Sequence, residues 1–260
     1  MTRTRLDQEL VRRDHFPSRS AARNAINAGF ISVDGIVVLK PAMSVAADTE
    51  IVVSDDARDY VGRGAYKLAA ALDEFAVDVS GTNAIDVGAS TGGFTQVLLD
   101  AGAGHVVALD VGRDQLHQRL REDPRVRVVE GVNVRDADPG ELGGPFDVVT
   151  ADLSFISLCV VARDLERLGG ADADWIVLVK PQFEVGRDRL GKDGVVRDPV
   201  ARGEAVWDVV QAFRRAGLVT VGARKSPLPG GTGNLEALVW MRRRGGAILS
   251  VDAFKVLADE

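Results

Sequence analysis

Cysteine is almost missing from this chain: Cys159 stands alone in 260 residues. A single thiol excludes an internal disulfide and a cysteine-cluster zinc site, and its apolar, helix-like surroundings mark it as core. The three histidines, His15, His105 and His117, are scattered without metal-ligand spacing, so no metal is expected. Aromatics are few, and Trp175, Trp207 and Trp240 sit in apolar runs that read as core. No apolar run is long enough to span a bilayer, and no long basic amphipathic helix would lie on one. The stretch "MTRTRLDQEL" lacks the apolar centre of a signal peptide. The expectation is a cytoplasmic protein with no membrane partner. Positive charge is outnumbered, with a net charge of −6, which argues against a uniformly basic nucleic-acid binder. Lysine is scarcer still, at 6 of the 32 basic residues.

What remains is a globular composition, 46% hydrophobic and 27% charged, with an uneven charge. Residues 1–29 hold six arginines against three carboxylates, a local +3, which leaves −9 for the rest. A basic end on an acidic body predicts a polyanion contact confined to that end. There "RLDQELVRRD" places Leu6, Leu10 and Val11 at helical spacing. "SRSAARNAINAG" reads as a second helix, N-capped by Ser18 and stopped at Gly29. Asp34-Gly35 between "FISV" and "IVVLKP" is a hairpin signal, and "EIVVSD" supplies a further strand. This helix-turn-helix-ribbon is too small for a robust core of its own but suits an appended module. A glycine- and charge-rich linker then leads into the helix "AYKLAAALDEF".

From Asn83 onward strands and helices alternate: "NAIDVG", "HVVALDV", "VRVVEG", "FDVVTADLS", "WIVLVKP", "LVTVGARKS" and "NLEALVWMRR" are the strands. "FTQVLLDAG", "RDQLHQRL", "LCVVARDLERL" and "RGEAVWDVVQAFRRAG" are helices between them. Nearly continuous apolar strands of this kind form a parallel sheet covered on both faces. The last two strands lack a helix between them, so one of them should run antiparallel.

Ligands of such sheets bind at the carboxyl ends of the strands. "DVGASTGG" lies at the first such end. Its glycines Gly88, Gly92 and Gly93 allow close backbone approach ahead of a helix N-terminus. Asp110 ends the next strand, where a carboxylate can accept two ribose hydroxyls. These features alone fit a nicotinamide dinucleotide or S-adenosylmethionine. The missing strict G-x-G-x-x-G pattern and the terminal strand pair favour the second. The cofactor set assigned from the sequence is Asp86, Gly88, Ser90, Gly92, Gly93, Phe94, Asp110, Asn133 and Asp152. The run "VLVKPQFE" ends a buried strand on a lysine, Lys180. Lys67 on the preceding helix, Asp152 at the end of the fourth strand and Glu236 in the final strand can converge with it on the same rim.

"YVGRGAYKL", "AIDVGASTGGFTQVLLD", "ADLSFISL", "LVKPQFEVG" and "GTGNLE" resemble the TlyA family of ribosomal-RNA 2′-O-methyltransferases, whose members also carry the name haemolysin A. The catalytic part is similar to the FtsJ/RrmJ methyltransferases, and the N-terminal part to the alpha-L RNA-binding module of the ribosomal-protein S-four type. The resemblance implies a Rossmann-like, seven-stranded α/β methyltransferase domain over 65–260, a linker at 58–64 and a small α+β RNA-binding domain over 1–57. It implies S-adenosylmethionine as methyl donor, a cytidine 2′-hydroxyl in ribosomal RNA as acceptor, and ribosomal RNA or ribosomal subunits as partner. The family's Lys-Asp-Lys-Glu tetrad falls on Lys67, Asp152, Lys180 and Glu236. Arg3, Arg5, Arg19 and Arg23 on the helical part, with Lys40 from the hairpin, are the implied RNA contacts. The family's linker motif Arg-x-Trp-Val reads here Arg58-Asp59-Tyr60-Val61, with tyrosine in place of tryptophan. Competing readings are an RNA-binding protein with a catalytically silent cofactor domain, a membrane-active haemolysin, and a small-molecule O-methyltransferase.

Overall fold

The structure is a computed structural model that describes residues 3–54, 57 and 59–245. Arg58 of the linker motif lies outside the described residues. Contacts divide the chain into two compact units, Met1–Ala65 and Tyr66–Glu260.

The first unit runs β1 (Arg3–Arg5), α1 (Leu6–Arg12), α2 (Arg19–Asn27), β2 (Ile31–Val33), β3 (Ile36–Val37), β4 (Ser44–Ala46) and β5 (Ile51–Val53). Ser18 caps α2, its side chain accepting from Ala21 N, and Gly29 follows the helix at φ 81°. Asp34 and Gly35 both take positive φ, 49° and 77°, as the two-residue hairpin between β2 and β3 requires. Leu6, Leu10, Ile26, Ile31, Val33 and Val45 form its core. One difference from expectation concerns the first residues. Arg3 and Arg5 lie on β1, a short strand paired antiparallel with β4, and not on a helix. Leu6 N and Asp7 N then bond to Met43 O and Pro41 O, so this strand leads directly into α1.

The second unit holds α3 (Gly64–Phe75), β6 (Asn83–Val87), α4 (Gly93–Asp100), β7 (His105–Asp110), α5 (Gln118–Arg121), β8 (Val126–Glu130), α6 (Pro139–Leu142), β9 (Phe146–Ala151), α7 (Leu158–Glu166), β10 (Gly169–Val179), α8 (Pro181–Glu184), α9 (Pro199–Ala216), β11 (Val219–Lys225) and β12 (Ala237–Arg242). The seven strands form one sheet in the order β11-β12-β10-β9-β6-β7-β8. The five strands from β10 to β8 are parallel, and β12 is antiparallel to both of its neighbours. Ile85, Val149, Trp175, Val177 and Phe213 lie in the core of this sheet and its helices. Trp175 is fully buried, whereas Trp207 and Trp240 are half-buried. α5 is shorter than its sequence suggests. Asp114 turns left-handed at φ 57°, and the amides of Asp114 and Gln115 bond to the Glu130 carboxylate instead of continuing a helix. α3 is fixed against the last strands: Phe75 stacks on Trp240 at 5.7 Å, and Arg224 donates to Ala70 O.

Candidate active site

Strand register decides which residues meet. Leu109 is opposite Val87, and Val87 is opposite Ala151. The next residues out of these strands, Asp110 excepted as the last of its own, are Gly88 and Asp152, so all three share the carboxyl edge of the sheet. On the other side Val179 is opposite Ala237. Lys180 and Glu236 therefore leave β10 and β12 side by side. Glu236 precedes β12; it does not lie within the final strand as the sequence suggested.

A cavity of about 550 Å³ opens at this edge. Gly88, Ser90, Asp110, Asn133 and Asp152 line it, with Leu109, Val132 and Ile156 as apolar wall. Gly88 is required here twice over: its φ is +85°, and a Cβ would sit 2.7 Å from Asp152 O. Asp110 accepts Ser90 N at one carboxylate oxygen and Gly112 N at the other, both at 2.7 Å. A carboxylate has about four lone-pair sites, so both oxygens keep acceptor capacity toward the cavity.

Two ion pairs stand beside it. Lys180 Nζ lies 2.6 Å from Asp152 Oδ1 and donates to Ser154 Oγ at 2.9 Å. Lys67 Nζ donates to Glu236 Oε2 at 2.5 Å, with both side chains nearly removed from solvent. Burial pushes the Glu236 carboxyl above its usual range, opposed by Lys67 and then Lys180, while Asp152 adds to the rise. The four groups therefore sense one another as one cluster. Lys180 caps α8, whose first residue is Pro181. Proline suits that position, because the missing N–H has no helical partner to lose.

Comparison with known proteins adds the family. The FtsJ-like methyltransferase model matches residues 60–243, and the S4 domain model matches residues 4–51. The chain is 49% identical over 249 residues to the 16S/23S rRNA (cytidine-2′-O)-methyltransferase TlyA of Mycobacterium tuberculosis, covering 95% of this chain and 93% of that one. The chain belongs to the TlyA family of FtsJ-like methyltransferases. Among other similar proteins, Hemolysin A of Brachyspira hyodysenteriae is 35% identical over 90% of this chain and 98% of its own. A solved structure named "Putative hemolysin from Streptococcus thermophilus" superposes with TM-score 0.76 at 34% identity, covering 99% of this chain and 95% of that one. Among the described residues, no helix of this TlyA-family chain is long and apolar enough to cross a membrane.

Within the TlyA framework, four of the residues assigned to the cofactor do not line the cavity. Asp86 is fully buried; it accepts the Thr95 amide and hydroxyl at 2.9 and 2.7 Å and the Thr150 hydroxyl at 3.2 Å. These bonds fasten α4 to the sheet, and burial raises the Asp86 pKa to about 7. Gly92 caps α4, and a Cβ there would meet Leu120 Cδ1 at 2.2 Å, so this glycine serves helix packing. Gly93 and Phe94 are buried in the first turn of α4. Asn133 lines the cavity and also caps the turn Val134–Asp136 by accepting Arg135 N.

The candidate RNA contacts are also redistributed. Arg5 and Arg19 both bind the buried carboxylate of Asp7, at 3.0 and 3.1 Å. Arg5 foremost, with Arg19, holds that carboxyl below its usual range. Among the described residues, Arg3, Arg23 and Lys40 have no ion-pair partner.

Sequence reasoning missed Ser154, Gln115, Phe155 and Asn234. Phe155 is 93% exposed at the cavity rim, with φ 64°, and its ring lies 5.4 Å from Phe183. Nothing in "LSFISL" signals this, because a left-handed phenylalanine has no sequence signature. Asn234 is buried and bonds Val196 N, Gly194 O and Thr232 Oγ1, tying the 191–196 loop to the turn before Glu236. "GTGN" marked the turn but not this role. Cys159, expected in the core, is only half-buried and packs against it; burial and then Glu184 push its thiol up to about 11. A second cavity of about 630 Å³, lined by Arg135, Arg163 and Arg215 among others, holds none of the Lys-Asp-Lys-Glu groups.

Proposed function

We propose that this methyltransferase binds S-adenosylmethionine in the cavity above Gly88 and transfers its methyl group to a cytidine 2′-hydroxyl of ribosomal RNA. The observation that carries this reading is Lys180, held against Asp152 at the lip of a cavity with a glycine floor and an acidic rim. The cavity suits the cofactor. Its volume is that of a small-molecule site. Asp110 offers acceptors for ribose hydroxyls, Gly88 permits close backbone approach, and Leu109, Val132 and Ile156 offer an apolar face to an adenine. S-adenosylmethionine supplies a methyl group already activated on a sulfonium.

The chain must then make a weak nucleophile attack in line. Lys180 Nζ donates to Ser154 Oγ and stands in ion contact with Asp152. An amine so placed can orient the 2′-hydroxyl and stabilise the charge that develops as its proton leaves. Lys67 and Glu236 form a buried pair that orients the ribose, and their pairing keeps either charge from standing alone in low dielectric. Positioning of this kind can supply much of the rate. Phe155 presents an exposed ring beside the same rim and can cover a base.

In this reading residues 1–57 supply RNA affinity, 58–64 connect, and 65–260 perform the chemistry in the cytoplasm. The preorganised pair at Asp7, and Arg3, Arg23 and Lys40 with no ion-pair partner among the described residues, support phosphate contact by the first unit. The test is to incubate the protein with small and large ribosomal subunits and labelled S-adenosylmethionine, then map the methylated nucleotides. Methyl label on a cytidine ribose supports the reading. Label on a base, or none on RNA, overturns it.

A further inference from the structure

Lys180 begins a short segment whose other end the proposed chemistry leaves unused. "KPQFE" closes on Glu184, a half-buried carboxylate. Its Oε2 accepts the Ser157 hydroxyl at 2.5 Å, and its Oε1 accepts Leu158 N at 2.9 Å. Ser157 is the N-cap of α7 and also accepts Cys159 N. Glu184 thus satisfies an amide of the first turn of α7 that has no helical acceptor of its own.

The two segments that Glu184 joins are those that leave the neighbouring parallel strands β9 and β10. They carry Asp152 and Lys180 at their near ends. Phe155 and Phe183 touch across their middle. At the near end Lys180 Nζ stands 2.6 Å from Asp152 Oδ1 in an ion contact. An ion contact is weakly directional and does not by itself fix the geometry of approach. That geometry must come from where the two backbone segments are held.

We propose that Glu184 is a positioning residue for Lys180: its bonds to Ser157 and Leu158 clamp the segment after β10 to the segment after β9, and so set the approach of Lys180 to Asp152 and to the acceptor hydroxyl. The inference rests on the reading of Lys180 as the group that meets the 2′-hydroxyl. Glu184 touches no reacting atom. Its loss lets Lys180 swing without changing the Asp110 end of the cavity.

The experiment compares wild type, Glu184→Ala, Glu184→Gln and Ser157→Ala with ribosomal subunits as substrate. Steady-state kinetics give kcat and KM, calorimetry gives S-adenosylmethionine affinity, and thermal melts check folding. A small displacement of a reacting group costs on the order of 10²-fold. Glu184→Ala is therefore expected to lower kcat by about 10- to 100-fold, with RNA KM and cofactor affinity within about twofold. Glu184→Gln, whose carboxamide oxygen still accepts one of the two bonds, should recover part of kcat. Ser157→Ala should cost less than Glu184→Ala and add nothing to it in the double variant. If Glu184→Ala does not fold, the Gln and Ser157 variants carry the same comparison. Wild-type kcat in the variants, equal losses of kcat and cofactor affinity, or additive losses in the double variant would each overturn the clamp. A wild-type protein that transfers no methyl to ribosomal RNA would sink the substrate reading, and the clamp with it. An active wild type with equally active variants would sink the clamp alone.

Discussion

Lys180 and Asp152 emerge from adjacent parallel strands and meet with Nζ 2.6 Å from Oδ1. The pair is mostly but not wholly shielded from water, as a group that must meet a substrate requires. Arginine at 180 would retain the charge. It presents a planar fork that stays protonated, where lysine presents a compact amine. Lys180→Arg is expected to fold and to keep cofactor affinity within a few-fold. Single-turnover methylation should fall by roughly 10²–10⁴-fold, the range for loss of a positioned acid–base group. Near-normal turnover would reduce Lys180 to a point charge.

Asp110 is placed to discriminate the cofactor. Replacement by alanine removes the ribose acceptors and also strands the amides of Ser90 and Gly112. Calorimetry of Asp110→Ala should show S-adenosylmethionine affinity weakened by about 1–3 kcal/mol, the range for hydrogen bonds to a charged group. Unchanged affinity would place the adenosine elsewhere.

The basic residues of the first unit should separate into two classes. Arg3→Ala with Arg23→Ala should flatten the salt dependence of RNA binding by about two units on a log–log plot and leave stability alone. Arg5→Ala with Arg19→Ala should weaken RNA binding as well, but it also leaves Asp7 buried without its partners. That variant should be less stable than the first, read as an earlier urea midpoint. Equal stability in the two double variants would contradict the role given to Asp7.

Asp86 predicts a pH signature. Its folded pKa of about 7 stands above the ordinary value of 3.8. Between those values the native state holds a proton that the unfolded state has released. Stability from this group therefore falls as pH rises through that window and is level above it. Asp86→Asn should remove this decline, which amounts to a few kcal/mol at most. The check is urea midpoints of both proteins from pH 4 to pH 8. Parallel curves would show that Asp86 does not carry the dependence.

Much of this molecule is legible in its sequence because the relevant interactions are local or periodic. Ser18, the Asp34-Gly35 turn, the glycines after β6 and the run of buried strands each follow from backbone propensity or hydrophobic period. The antiparallel β12 follows from the absence of a helix between two strands. Asp152 and Lys180 were recognisable as types at strand ends, and family resemblance joined Lys67 on α3 and Glu236 before β12 to them. Register alone shows that Lys180 lies beside Glu236, since Val179 pairs with Ala237 across 58 positions of chain. The divergence of Asp86 and Gly92 from the cavity was not legible either. Each lies in a glycine-rich motif, and its contact with Thr95 or Leu120 follows from how the helices pack on the sheet. The same holds for Arg5 and Arg19. Their charge is plain in the sequence, but the buried Asp7 that both of them grip is a matter of how α1, α2 and β1 pack. Long-range pairing of polar groups depends on geometry that no local pattern encodes.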